Sequence, residues 1–278
     1  MLFVVQAPAQ IVDSLSLFGK TLDVDVYGNV FVLGTESSLL TVYSPAGKDR
    51  IREIGGPGWG SEEFDRPSGL WSRNGIDLFI ADYGNHRVQR YDRTLTFVST
   101  LYTREDSDPS KRFGYPTDVA LSRLGDLFIC DSENGRILKV TRSTQVDRSF
   151  GGYDAGKGRL FSPRQLEIGA RDVLYVLDGD RIVVFDTFGN YLREFGTGIF
   201  VRPSRIFADQ DRVLVLDGDV LFHFDAAERA APPLTIAELS GGRFTGKDVF
   251  SFVFSGAALY VLTPQGVFLL RLPPHPGS

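Results

Sequence analysis

Residues 78–92 read LFIADYGNHRVQRYD, an apolar run ending on Asp82 and followed by His86, Arg87 and Asp92. An acid, a base and a cation packed this closely have the look of a catalytic stretch. The rest of the chain writes the same arrangement again. Residues 127–141 read LFICDSENGRILKVT with Asp131 in that place, 174–186 read LYVLDGDRIVVFD with Asp178, and 213–225 read VLVLDGDVLFHFD with Asp217. Two weaker copies flank these, VFVLGTESSLLTVYS (30–44) with Gly34 and LYVLTPQGVFLLRL (259–272) with Thr263. Six units therefore recur at a mean spacing of about 46 residues, close to the length of a four-stranded propeller blade.

The surroundings of each unit repeat too. Upstream lies a short strand ending in a Gly turn, as in LDVDVYGNV (22–30) and DVALSRLGD (118–126). Downstream, after the RVQRY-type strand, comes another: RIREIGG (50–56), TFVSTLY (96–102) or YLREFG (191–196). No stretch sustains the 3.6-residue period of an amphipathic helix. The pattern predicts an all-β chain, a six-bladed β-propeller of four-stranded antiparallel blades. The sixth unit lacks an outer strand, and IVDSLSLFG (11–19) has the outer-strand pattern with no inner strands before it. We expect that N-terminal strand to complete the last blade and close the ring, which removes two exposed sheet edges.

These expectations give one propeller domain over 11–272 and a disordered tail over 273–278. The start, MLFVVQAPAQ, is read either as the remnant of a signal peptide or as a disordered terminus. The first reading places the protein in the periplasm or outside the cell, the second leaves it in the cytoplasm. No run approaches the ~18 apolar residues of a membrane helix, so no membrane span is expected. With 278 residues, 42% hydrophobic and 23% charged, the chain has ample material for a core. Its net charge of −5 and lack of a long basic run argue against a general nucleic-acid footprint. Cys130 is the only cysteine, which excludes an internal disulfide and thiolate clusters.

Once the repeat is found, the Asp reads as architecture. It stands where a strand meets a tight turn, and a short carboxylate there can accept hydrogen bonds from the N–H groups of its own turn. Arg87 and Arg136, five residues after Asp82 and Asp131, then read as turn-locking or blade-to-blade contacts, and Asp178 and Asp217 share the structural role.

The units resemble NHL repeats. Residues 51–92 carry the Gly-rich loop, Phe64 and Pro67 ahead of the inner strand, the AD..NHRV core and the strand after it; FGYPTDVALSRLGDLFICDSENGRI and GGYDAGKGRLFSPRQLEI repeat parts of this with Pro116 and Pro163. The resemblance implies a six-bladed propeller. For function it implies mainly a binding platform, with a few enzymatic relatives, because a fold hosts functions without choosing among them.

The loops leading into the inner strands are the least alike parts of the units. Trp59, on the Gly-rich loop 55–67, is a candidate anchor for a partner, since rigid aromatics dominate interface energetics. The residue two after each Pro should open the inner strand at the mouth of the central channel: Thr21, Gly69, Asp118, Gln165, Arg205 and, more loosely, Asp248. Such a ring can bind a small polar ligand or hold ordered water. The expectation is thus a non-catalytic, monomeric scaffold that binds protein or a small polar ligand, with no metal site, no cofactor and no nucleic acid as partner. The alternative is a metal-dependent hydrolase of the lactonase kind at the channel mouth, with calcium on the oxygens of Asp118, Gln165 and Asp248. A zinc site is disfavoured because His86, His223 and His275 fall at unrelated places in the repeat. RNA binding through Arg112, Arg159, Arg164, Arg202 and Arg205 is opposed by Glu62, Glu63, Asp65, Glu105, Asp106 and Asp108 among them.

Overall fold

The computed structural model describes residues 20–270 apart from 46–48, 143, 210–211, 226–228 and 257. Six antiparallel sheets follow one another along the chain. Blade 1 is built from β1 (Thr21–Val24), β2 (Val30–Gly34), β3 (Leu39–Tyr43) and β4 (Arg50–Gly55); blade 2 from β5 (Gly69–Trp71), β6 (Asp77–Asp82), β7 (Arg87–Asp92) and β8 (Phe97–Leu101). Blade 3 has β9 (Pro116–Leu121), β10 (Leu127–Asp131), β11 (Arg136–Thr141) and β12 (Gln145–Phe150); blade 4 has β13 (Pro163–Ile168), β14 (Leu174–Asp178), β15 (Arg181–Phe185) and β16 (Tyr191–Phe195). Blade 5 comprises β17 (Pro203–Ala208), β18 (Arg212–Asp217), β19 (Val220–Asp225) and β20 (Leu234–Thr235), and blade 6 comprises β21 (Ser251–Ser255), β22 (Ala258–Thr263) and β23 (Gly266–Leu270). The molecule is a six-bladed β-propeller. The strand expected over 11–19, the start 1–10 and the tail 273–278 all lie outside the described residues.

Within each blade the second strand is the buried one. VFVLG, LFICD and LYVLD are covered on both faces, because a blade is packed between two neighbours, and near-continuous apolar runs are what such strands need. Outer strands are largely exposed, as in RIREIG, FVSTL and YLREF, since they lie at the edge of the blade and only part of their surface meets a neighbour. The core consequently lies between blades. One cluster joins Phe128, Leu138 and Val183 of blades 3 and 4 to Trp71 of blade 2, and another joins Val32 of blade 1 to Leu214 and Val261 of blades 5 and 6.

Blade 5 departs from the expected pattern. Its outer strand is only two residues long and runs into α1 (Ile236–Ser240). Thr235 caps that helix, its hydroxyl accepting from Glu238 N–H while the Glu238 carboxylate accepts from Thr235 N–H. The T-I-A-E spacing is a capping box, a signal too short to register in a search for sustained periodicity.

Candidate functional site

In blades 2 to 5 the repeated Asp closes the blade against the loop that leads into its own inner strand, here termed the rim loop. Asp82 accepts from Asp65 N–H at 2.8 Å, from Asn85 at 2.8 Å and from Arg87 Nε at 2.7 Å. Asp131 accepts from Gly114 N–H, Asn134 and Arg136. Asp178 takes the N–H groups of Phe161 and Ser162, and Asp217 those of Val201 and Arg202. The backbone donors thus come from 15 to 17 residues upstream, not from the Asp's own turn as the local pattern suggested. A single carboxylate at the strand end can reach them because the rim loop folds back over the β-turn, and it leaves fewer buried N–H groups unsatisfied. The arginines lock the same loops: Arg87 donates to the carbonyls of Trp59, Gly60 and Glu63, and Arg136 to that of Arg112. Burial pushes the Asp82 and Asp131 carboxyls up, against the pull of these donors.

At the channel, strand register fixes which residues are equivalent. Thr21, Gly69, Asp118, Gln165 and Arg205 each lie opposite the residue that precedes the repeated Asp or its counterpart, namely Leu33, Ala81, Cys130, Leu177 and Leu216. In blade 6 that position, opposite Leu262, is held by Ser251. Asp248, assigned to the ring from the sequence, sits three residues earlier in a short 3₁₀ turn, where it accepts from Thr245 N–H and Oγ1. The spacing misled because blade 6 has no Pro to mark its strand start.

Four of the six ring residues reach to the next blade. Thr21 Oγ1 donates to Ser68 O at 2.9 Å, Asp118 accepts from Leu166 N–H at 3.1 Å, and Gln165 Oε1 accepts from Ile206 N–H at 2.9 Å. Arg205 donates to the carbonyls of Phe250 in blade 6 and Lys20 ahead of blade 1. Gly69 has nothing to reach with, and blade 3 closes into the space: a Cβ there would lie 2.6 Å from Asp118 Cα. The inner strand of a blade has one unpaired edge, and these side chains satisfy its backbone groups.

Below the ring lies an ion cluster that spans the channel. Arg73, which follows β5, donates Nε to Asp23 at 3.0 Å and forks onto Glu167 with Nη1 at 2.6 Å and Nη2 at 2.9 Å. It thereby links blades 1, 2 and 4. Asp23 and Glu167 are buried, whereas 26% of the Arg73 side chain faces the channel. Burial opposes the charge on Arg73, but Glu167 and Asp23 outweigh it and hold the guanidinium protonated. Burial raises the Glu167 carboxyl despite Arg73. It raises Asp118 much further, with the charge of Glu167 adding to the effect. Thr21, Asp118, Gln165, Glu167 and Ser251 line a cavity of about 20 Å³, room for roughly one water. Sequence reasoning missed Arg73 and Glu167, whose only signals are a charge at or near the end of an otherwise apolar inner strand.

The other singled-out residues lie at or toward the rim. Trp59 is 55% exposed, its ring 5.1 Å from the Arg87 guanidinium and edge-on to Tyr102. His86 accepts from Tyr115 N–H through Nδ1 and packs edge-on against that ring; burial and the Arg104 charge lower its pKa. Cys130 is buried at mid-blade and its thiol is pushed up by burial. Among the described residues no group of three or more His, Cys, Asp or Glu side chains is gathered so as to hold a metal ion. No helix among them is long and apolar enough to cross a membrane.

The family model of the NHL repeat matches residues 113–140, from the rim loop of blade 3 through its third strand. The chain carries an NHL repeat within a six-bladed propeller. Two curated relatives align with parts of this propeller. The Protein brain tumor of Drosophila melanogaster is 28% identical over 48% of this chain and 13% of its own length. A probable peptidyl-alpha-hydroxyglycine alpha-amidating lyase of Caenorhabditis elegans is 34% identical over 29% of this chain and 24% of its own. The chain therefore spans less than a quarter of either relative. Among solved structures, virginiamycin B lyase of Staphylococcus aureus superposes with a TM-score of 0.67 at 11% identity, covering 96% of this chain and 99% of that one. An extracellular domain of a two-component system from B. thetaiotaomicron superposes at 0.60 and 12% identity, covering 92% of this chain and 34% of that one. At such identities the likeness is one of fold.

Proposed function

We propose that the NHL propeller is a non-catalytic, monomeric binding platform whose partner meets the rim-loop face. One observation carries this reading: the channel-mouth side chains are already spent. Thr21, Asp118, Gln165 and Arg205 each make the hydrogen bond that joins one inner strand to the next, and the space between them suits about one water. A substrate or a metal would have to take those donors and acceptors away from the ring. By contrast the rim loops present large side chains to solvent, Trp59, Tyr153, Phe161 and Val201 among them. A location outside the cytoplasm is part of the proposal, supported by the likeness to an extracellular domain.

The second reading, a lyase or calcium-dependent hydrolase at the channel, is favoured by two things. Lyases stand among the similar proteins, and two carboxyls with raised pKa, Asp118 and Glu167, lie beside a cavity. Thermal melts in EGTA and in millimolar Ca²⁺ separate the readings, because an ion that binds only the folded state raises stability by about 2.7 kcal/mol at a hundredfold over Kd. We expect coincident melts, and no turnover of quinupristin or of a peptidyl-α-hydroxyglycine substrate. A calcium-dependent rise that Asp118→Asn abolishes, or turnover that it abolishes, would replace the platform by an enzyme.

A further inference from the structure

Resting on the platform reading, we propose that a groove between blades 3 and 4 and the basic strip beside it form a docking site for a short peptide segment of a partner, one large apolar residue flanked by Asp or Glu. The groove measures about 640 Å³, within the range of ligand-sized cavities. The half-buried Phe150 and Tyr191 line it over the buried Phe185, whose ring centroid lies 5.0 Å from that of Phe150 and 6.4 Å from that of Tyr191. Glycines let the chain close onto these rings: a Cβ on Gly158 would lie 3.0 Å from Tyr191 Cβ, and one on Gly189 would press on the Phe150 ring. An apolar anchor of one to two rings fits such a floor.

Tyr153 forms the lip of the groove and is 77% exposed. Its ring lies 4.4 Å from the Arg159 guanidinium, and the Phe161 ring lies 5.0 Å from the same group. A guanidinium held between two rings loses little freedom when a carboxylate meets its in-plane donors. Phe161 is 68% exposed, and Val201, at the same place in the blade 5 loop, is 79% exposed. Arg164 ties the two loops together by donating to Pro203 O at 2.8 Å. Lys157, Arg159, Arg164 and Arg202 stand on these loops against Asp154, with Asp180 in the neighbouring β-turn.

Charge complementarity therefore selects an acidic occupant, and the neighbouring surface limits its length. The rim loops of blades 2 and 3 carry Glu62, Glu63, Asp65, Glu105, Asp106 and Asp108, so an extended polyanion would run onto like charge. This favours a short acidic–apolar peptide over a nucleic-acid strand.

The test is a selection of displayed random peptides on the whole protein, followed by anisotropy titration of the most enriched sequence, synthesised with a fluorophore. The enriched set should pair Phe, Trp or Leu with Asp or Glu. Gly152→Leu should weaken binding tenfold or more by filling the groove; the position has no left-handed backbone, and its Cβ would meet only Arg136 Cβ at an ordinary 3.9 Å. Arg159→Gln should weaken it too and flatten its salt dependence, while Tyr27→Ser on the opposite face should leave it unchanged. Enrichment that is indifferent to Gly152→Leu and Arg159→Gln but lost in Trp59→Ser, on another loop of the same face, would refute this site and keep the platform, whereas loss in Tyr27→Ser would count against both. Failure to enrich any sequence would count against both, as would displacement of the peptide by oligouridine at lower concentration.

Discussion

Arg73 is the residue whose removal should hurt most for its size. It makes three charge-assisted hydrogen bonds to two buried carboxylates and a fourth, at 3.4 Å, to Ala208 O. In Arg73→Met the two carboxylates fare differently. Asp23 keeps the N–H and hydroxyl of Ser72, whereas Glu167 loses both side-chain donors and retains the Ala208 N–H. Removing one partner of a buried ion pair costs about 3–5 kcal/mol, and water entering the channel should keep the value near about 3. Urea unfolding at pH 7 should show a lower midpoint with an unchanged slope. The deficit must also depend on pH. Glu167 is already raised in the folded protein, so its contribution is present below its unfolded pKa of about 4.3 and lost as pH rises through the folded value. Without Arg73 the folded value climbs further, so the variant's penalty is full at neutral pH and shrinks as pH falls toward about 4. Adding Glu167→Gln should restore much of the loss at pH 7. A deficit below about 1 kcal/mol, or one that is the same at pH 5 and pH 7.5, would refute the channel-spanning ion cluster as a source of stability.

Other substitutions probe the latch and the ring. Asp82→Ala strands the Arg87 guanidinium, whose side chain is 5% exposed, and should cost about 3–5 kcal/mol in the same assay. Gly69→Ala forces the inner strands of blades 2 and 3 apart and should cost about 1–3 kcal/mol, with a melting temperature lower than that of Gly152→Ala. Asp118→Asn keeps one acceptor for Leu166 or Val119 N–H and loses the other, which costs about 1 kcal/mol at acid pH. Because the folded Asp118 carboxyl is raised, wild-type stability falls as pH rises through that value, so the gap should narrow or reverse at pH 7 and above. The Cys130 thiol should stay unreactive toward Ellman's reagent in native buffer and react in urea in step with unfolding, since a buried thiol held protonated is no nucleophile.

Much of the architecture was legible in the chain because a propeller repeats a local solution. Every blade needs a largely buried second strand, and blades 2 to 5 end it on a carboxylate, so LFIAD, LFICD, LYVLD and LVLD announce themselves at intervals of 39 to 49 residues. Each of these Asp residues ends the second strand of its blade. The residue two after each Pro takes an equivalent register position in blades 2 to 5, although in blades 3 to 5 the strand already begins at the Pro; in blade 6, which has no such Pro, only pairing with Leu262 reveals Ser251. What the Asp does was less legible. Its donors, Asp65, Gly114, Phe161 and Val201, lie 16 or 17 residues upstream across the whole inner strand, a separation at which no turn pattern announces a contact.

The sequence by itself determined the number of blades, the order of strands and the burial of each second strand, since these depend on period-two alternation and turn chemistry within a few dozen residues. Only the tertiary structure decided what the channel is. Asp23, Arg73 and Glu167 come from three blades, with 94 residues between the last two, and each taken alone reads as an ordinary polar residue near the end of a strand. Closing the ring brings the Arg73 guanidinium within 3.0 Å of both carboxylates, and the same closure turns Asp118, Gln165 and Arg205 into links between inner strands. Side chains that face a neighbour through an unpaired sheet edge are assigned by how the blades are arranged around the axis, which is a property of the closed ring.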